Sequence, residues 1–218
     1  MKNQKPISVI IPTYNQEQFL GRCLRSILGQ TIGKNEYEII VINDGSKDKT
    51  SKVIKIYEKE ITVLENKKNK GLPYSINKGI KQAKGRFIVR LDSDDYVNKN
   101  FLYILKIFLE DNLDIDAASC DYFIIDDKEN VLSRENSLKN PIGCGIMFRL
   151  EHLVNLGLYD EKFLIHEDKD LRLRFNEKYK IFRIPLPLYR YRKHHANITN
   201  DEKKVIKHMQ KLKKKHKL

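Results

Sequence analysis

Short β-branched runs alternate with helical segments through the first 98 residues, and this alternation restricts the fold more than any other feature of the chain. The apolar runs occupy residues 7–11, 37–42, 61–64 and 86–91. Between them, apolar residues recur at helical spacing in residues 19–28, 53–57 and 72–83, and Asn15 is placed to cap the first helix. Strands separated by single helices form right-handed βαβ units. We therefore predict an α/β fold with a Rossmann-like, mostly parallel central sheet and flanking helices.

The pattern of elements becomes mixed after residue 98. Helices are predicted near residues 100–110, 151–155 and 167–178, and strand-like runs at 117–125 and 179–192. A polar turn at 126–130 and a short apolar segment at 145–148 lie between them. The sequence has no Ser/Gly-rich linker. We predict a single domain of two abutting lobes, residues 1–98 and 99–200, followed by a basic tail, residues 201–218.

The basic charge of the chain is concentrated at its end. The 218 residues have a formal net charge of +13, but residues 203–218 contain eight lysines and no acid. The rest of the chain has 34 basic against 29 acidic residues. In the tail, Val205, Ile206, Met209 and Leu212 lie at helical spacing among the lysines. Such a segment is either an amphipathic helix for an anionic membrane surface or a disordered solubilising end.

Cysteine usage and hydropathy indicate the compartment. Cys23, Cys120 and Cys144 are far apart, odd in number and without metal-binding spacing, which favours a reducing environment. The N-terminal residues do not have the pattern of a signal peptide, and no apolar stretch approaches the roughly 18 residues needed to span a bilayer. We expect a cytoplasmic protein, with any membrane association peripheral and at the inner face.

Polar clusters follow three of the predicted strands. The first strand ends in PTYN (residues 12–15), the second in NDGS (43–46) and the fourth in DSDD (92–95). Each cluster alone is typical of a structural feature without ligand binding, namely a turn, a helix cap or a solvated loop. Ligands of open α/β sheets, however, bind outside the carboxyl ends of the strands, where all three clusters meet. The DSDD carboxylates suit a hard cation, Mg²⁺ or Mn²⁺, which would neutralise a diphosphate.

Two clusters in the second half carry further titratable groups. HEDKD (residues 166–170) precedes an amphipathic helix, where its acids either stabilise the helix N-terminus or supply a general base. YRKHH (191–195) ends a strand-like stretch, from which a histidine can reach a diphosphate or a metal.

Five motifs together resemble the family-2 glycosyltransferases of GT-A fold, over roughly residues 7–199. They are SVIIPTYN, EIIVINDGSKDKT, NKGLPYSINKGIKQAKGRFIVRLDSDD, GIMFRLEHLVNLGLYDEKFLIHEDKDLRLRF and YRKHHANIT, in the family's order. The resemblance implies that residues 1–98 form a nucleotide-sugar-binding lobe and residues 99–200 an acceptor-binding and catalytic lobe.

The resemblance also implies a role for each matching residue. Asp44 is expected on the base, Asp92 near the ribose, Asp94 on the metal and His194 near the diphosphate and metal. Asp168, with Glu167 beside it, matches the pair that activates the acceptor. The remaining donor-binding residues implied by the motifs are Pro12, Thr13, Tyr14, Asn69, Gly71 and Ser93.

We accordingly expect a metal-dependent, inverting transferase of hexosyl or N-acetylhexosaminyl type. It would use Mn²⁺ or Mg²⁺ and a nucleoside diphosphate sugar, with a UDP-sugar as the expected donor. The acceptor would be a hydroxyl on a glycan or lipid-linked molecule in cell-surface polysaccharide or glycoconjugate synthesis. Two alternatives stay open at this point: a sugar nucleotidyltransferase, which normally has a glycine-rich loop after its first strand, and a basic nucleic-acid-binding module. We expect no nucleic-acid partner, because the sequence lacks a recognisable binding motif.

Overall fold

A computed structural model describes residues 5–195, 197 and 201–218, without the side chain of Glu202. The end of the YRKHHANIT motif, residues 196, 198 and 199, lies outside the described residues. The strands are β1 (Ile7–Thr13), β2 (Tyr37–Asn43), β3 (Thr62–Glu65), β4 (Phe87–Arg90), β5 (Tyr96–Val97), β6 (Ala117–Ile125), β7 (Val131–Glu135), β8 (Ile146–Arg149) and β9 (Ile181–Arg192). The helices are α1 (Leu20–Leu28), α2 (Thr50–Ile56), α3 (Leu72–Gln82), α4 (Phe101–Asp111), α5 (Leu150–Asn155), α6 (Glu167–Asn176) and α7 (Glu202–His216).

One mixed sheet runs through the protein in the order β3-β2-β1-β4-β8-β6-β9-β5, with β7 paired to β6. Strands β1 to β4 are parallel, as the βαβ pattern predicts. Strand β8 is antiparallel to both β4 and β6, and β9 is parallel to β6. The sheet therefore joins the two predicted lobes without a break, and the lobe division at residue 98 stays a prediction.

Apolar side chains fill both faces of the sheet, which explains why β1 is apolar at nearly every position. Ile7, Val9 and Ile11 pack in one core with α1 and α4, whereas Ile10 packs in a second core with α3 and α6. Burial of each such side chain is worth about 1.5–3 kcal/mol. The strands are thereby fixed in register, and their carboxyl ends form one rim.

Several sequence-based expectations are wrong in detail. Asn15 does not cap α1, because the helix begins only at Leu20. The backbone of Asn15 is in the left-handed region, and the Asn15 Oδ1 accepts a hydrogen bond from the Lys47 N–H. Strands β5 and β7 were not predicted. For the C-terminal segment, the helical alternative holds and the disordered one does not, and Leu212 of its apolar stripe is buried.

Among the described residues, no helix combines the length and apolar character that crossing a membrane requires.

Candidate active site

The three polar clusters do meet at one rim, where they line a cleft of about 600 Å³. Strands β1, β2 and β4 supply its floor, and the loop before β8 and the start of α6 supply its opposite wall. Eleven of the twelve predicted site residues line this cleft: Pro12, Thr13, Tyr14, Asp44, Asn69, Gly71, Asp92, Ser93, Asp94, Glu167 and Asp168. The twelfth, His194, lies behind Asp94. The fold thus brings the predicted residues together.

Asp44 organises the loop that enters α3. Its Oδ1 accepts hydrogen bonds from the Asn66 amide at 2.7 Å and the Lys70 N–H at 2.9 Å, and its Oδ2 accepts from the Gly71 N–H at 2.9 Å. Asp44 is only 3% exposed. Because a carboxylate has about four acceptor positions, three protein bonds leave it one for a ligand.

Thr13 presents an unsatisfied hydroxyl in the wall of the cleft. Its side chain is buried, and Oγ1 has no hydrogen-bond partner within the part of the chain that the structure describes. Buried polar atoms are nearly always hydrogen-bonded in folded proteins. A polar ligand in the cleft would satisfy this oxygen.

Arg90, at the end of β4, joins the floor of the cleft to the opposite wall at the start of α6. Its guanidinium donates two bonds to Asp92, at 2.6 and 3.0 Å, and one to Glu167 Oε1 at 2.8 Å. The side chains of Arg90 and Glu167 are each 7% exposed. Asp92, expected beside a ribose, is therefore held by a protein cation on both of its oxygens.

Glu167 and Asp168 are adjacent in sequence but have different surroundings. Burial raises the pKa of the Glu167 carboxyl to about 7, although Arg90 opposes the shift. Asp168 is half-buried and lines the cleft. Gly143 allows this arrangement, since a Cβ there would lie 2.8 Å from both Arg90 Nη1 and the Asp168 Cβ. Both carboxylates line the cleft, and Asp168 is the more exposed member of the pair.

Asp94 carries the carboxylate best placed for a cation. Its Oδ2 lies 2.9 Å from His194 Nε2 and 3.4 Å from the Asn197 amide nitrogen. The Asp94 side chain is 18% exposed and opens into the cleft. One carboxylate and one imidazole, with room for ligand oxygens, form a donor set that fits Mn²⁺.

A second group, Asp92, Asp95 and Cys144, brings its ligand atoms within 4.8 Å of one another. Asp95 is buried and already accepts from the Tyr189 hydroxyl and the Arg192 N–H, both at 2.7 Å. Burial, together with Asp92 and Asp95, raises the pKa of the Cys144 thiol well above its usual range. Hard cations prefer oxygen ligands. The chemistry of this group therefore suits a structural network better than a Mg²⁺ or Mn²⁺ site.

Arg192 was not predicted and supports the DSDD loop from behind. It is 2% exposed, and its Nε donates to the Asp94 carbonyl at 2.9 Å. Its Nη1 donates to the carbonyls of Asp126 and Asp127 in the β6–β7 turn. The only sequence signal for Arg90 and Arg192 was a cation inside or at the end of a predicted strand.

Comparison with known proteins identifies the family. The sequence model described as "Glycosyl transferase family 2" matches residues 8–173, which is most of the chain. The chain belongs to this family. Family membership favours glycosyl transfer over the nucleotidyltransferase and nucleic-acid-binding alternatives.

Two curated relatives match most of the chain. An uncharacterized glycosyltransferase of Rickettsia typhi is 33% identical over 89% of this chain and 66% of its own length. The minor teichoic acid biosynthesis protein GgaB of Bacillus subtilis is 30% identical over 85% of this chain and 23% of its own length. The chain thus spans less than two thirds of these relatives.

Solved structures show the same fold. TarS residues 1–349 of Staphylococcus aureus, in complex with UDP-GlcNAc, aligns with a TM-score of 0.77 at 23% identity, covering 89% of this chain and 60% of that chain. The mannosyltransferase PcManGT of Pyrobaculum calidifontis, in complex with GDP-Man and Mn²⁺, aligns with a TM-score of 0.77 at 17% identity, covering 97% and 64%. The GT-A fold implied by the motifs is confirmed.

Proposed function

We propose that this protein transfers a sugar from a UDP-sugar to a hydroxyl group of a glycan or lipid-linked acceptor, with inversion at the anomeric carbon. One observation carries the proposal: Asp168, accessible in the cleft, faces the same space as Asp44 and Asp94. A base, a nucleoside-binding wall and a cation-binding carboxylate within one cleft are the groups that such a transfer requires.

The residues suggest a single displacement. Asp168 takes the proton from the acceptor hydroxyl while the oxygen of that hydroxyl forms a bond to the anomeric carbon. The bond between that carbon and the diphosphate oxygen breaks with its electron pair, and the nucleoside diphosphate leaves. Attack opposite to the leaving group inverts the anomeric centre, and no covalent enzyme intermediate is required. Arg90 holds Glu167, the neighbour of the base in sequence, through a hydrogen bond.

A divalent cation would be held by Asp94 and His194, whose donor atoms converge. When bound, it would stabilise the charge that develops on the departing diphosphate. Support for Mn²⁺ comes from the structural likeness to PcManGT, whose structure contains that ion.

Asp94→Ala should remove the dependence of UDP binding on Mn²⁺ while leaving the fold intact, because the carboxylate lines the cleft and is not part of the apolar core. Isothermal titration of UDP with Mn²⁺ and with a chelator measures this difference. The same titration with UDP-GlcNAc, UDP-glucose and GDP-mannose tests the donor class. Asp127→Ala, an acid outside the cleft, serves as the control. Equal Mn²⁺ dependence in Asp94→Ala and the parent would contradict the assignment.

The free acceptor position on Asp44 predicts a hydrogen bond from uracil N3–H. A charge-assisted bond of this kind contributes about 1.5–3 kcal/mol, so UDP methylated at N3 should bind at least about tenfold more weakly than UDP. A modified ligand is the cleaner test, because substituting Asp44 would also release the Asn66, Lys70 and Gly71 contacts. Equal affinity of the two nucleotides would show that Asp44 does not bind the base.

The acceptor is proposed from the relatives and from the surface charge. GgaB is named for minor teichoic acid biosynthesis, which supports an acceptor in cell-surface polymer synthesis. An anionic membrane surface would meet α7 through its exposed lysines, since Leu212 of the predicted apolar stripe packs against the protein.

A further inference from the structure

Helix α7 packs against the segment that leads into the active site. Leu212 is 2% exposed, and the Val205 carbonyl lies 3.3 Å from His166 Nε2. Lys211 Nζ donates to the Lys162 carbonyl at 2.7 Å. These contacts span residues 162–166, directly before Glu167 and Asp168.

The end of α7 is attached to a buried carboxylate in the first turn of α6. Asp170 is 0% exposed, and its Oδ1 accepts from Lys215 Nζ at 2.6 Å and from His216 Nε2 at 2.8 Å. Arg174 binds its other oxygen. Burial opposes ionisation, yet the bonds from Lys215 and His216 lower the pKa of Asp170. Lys215 also donates to Asp160 at 2.9 Å, so one ammonium joins both ends of residues 160–170.

The backbone between these contacts is in an unfavourable conformation. His166 has φ 65° and ψ 22°, the left-handed region that residues with a Cβ rarely adopt. This conformation directs the chain into α6, with Glu167 and Asp168 at the cleft. Strained residues of this kind persist only where the surrounding structure fixes them. Helix α7 supplies contacts on both sides of His166.

We propose that α7 is a positioning element for the catalytic base: Lys215 and His216, acting through Asp170, hold the start of α6 so that Asp168 faces the acceptor. The inference rests on the proposed role of Asp168. Lysines on this helix accordingly fall into two classes. Lys211 and Lys215 bind the segment before and within the first turn of α6, whereas Lys213 and Lys214 make no hydrogen bond to it within the described part of the chain.

Three single substitutions test the proposal in the full chain. Lys215→Met removes the cation from Asp160 and Asp170, Lys215→Arg keeps a cation there, and Lys214→Met removes an exposed charge one residue away. Hydrogen exchange of peptides covering residues 160–170 should accelerate in Lys215→Met alone, with the sheet unchanged. In the same variant, kcat for transfer should fall about tenfold while UDP affinity stays at the parental value, because a misplaced base affects the transition state more than donor binding.

The outcomes separate this inference from the proposed function. Local acceleration confined to residues 160–170 together with the fall in kcat, both recovered in Lys215→Arg, supports the positioning role, and a parental kcat despite the acceleration overturns it. Unchanged exchange, or acceleration spread over the whole sheet, overturns it. If exchange behaves as expected but the parent neither binds UDP nor transfers sugar, the proposed function fails while the anchoring of α6 by α7 stands.

Discussion

Replacing Asp168 with Asn should lower the rate of sugar transfer by about 10²-fold or more and leave the affinity for UDP and Mn²⁺ close to that of the parent. Asn has nearly the same size as Asp but cannot accept a proton from the acceptor hydroxyl. Asp168 is half-buried, so the amide of the Asn side chain keeps partial contact with solvent. Donor binding should persist because Asp44, Thr13 and Asp94 are on other elements. Single-turnover transfer assays and UDP titration measure the two effects separately.

Glu167→Gln is the matched control for this experiment. Glu167 is buried, and one of its oxygens accepts from Arg90 at 2.8 Å. Its amide would keep the shape and a hydrogen-bond acceptor, so we expect a smaller loss of transfer than in Asp168→Asn. A pKa raised to about 7 is also suited to a general base, which makes the comparison decisive. Full activity of Asp168→Asn with an inactive Glu167→Gln would move the base to Glu167.

The first half of the fold was predictable because its signals are local. Each parallel strand is a β-branched run, and each is followed by a polar turn and a helical period. The carboxyl ends of such strands share one rim, so the placement of Asp44 and Asp94 in one cleft follows from strand order alone. The short strand β5, with two residues, carries too little pattern to be recognised.

Long-range partners could not be predicted from the sequence. Arg90 lies within the apolar run RFIVRL, and its partner Glu167 is 77 residues away. The apolar stripe on α7 was recognised, but the polar partner at the end of the helix was not: Asp170, which binds His216, is 46 residues distant. A charged residue in a predicted strand, or an apolar stripe on a predicted helix, indicates that a partner exists. The identity of that partner depends on tertiary packing.

Arg90→Met should destabilise the folded protein by about 3–5 kcal/mol and abolish transfer, because it leaves two carboxylates at a largely buried site without their cation. Arg86→Met is the control. Arg86 lies just before the same strand and pairs with Glu110, but its side chain is 59% exposed, so its loss should change stability by only about 0–1 kcal/mol. Urea unfolding of both variants gives the two free energies. Equal changes in the free energy of unfolding of the two variants would mean that the ion pairs of Arg90 stabilise the protein no more than an exposed surface ion pair does.

The pH dependence of the Arg90→Met deficit distinguishes an electrostatic cause from lost packing. Without the guanidinium, the pKa values of Asp92 and Glu167 should rise further above their unfolded values, since burial already raises both. An acid whose pKa is raised on folding stabilises the native state below its unfolded pKa and loses that contribution as pH rises through the folded pKa. The loss of stability caused by Arg90→Met should therefore become smaller as the pH is lowered from about 8 to about 5. A deficit that is constant over this range would instead indicate a cavity left by the arginine stem, and the double variant Arg90→Met with Glu167→Gln should then recover no stability.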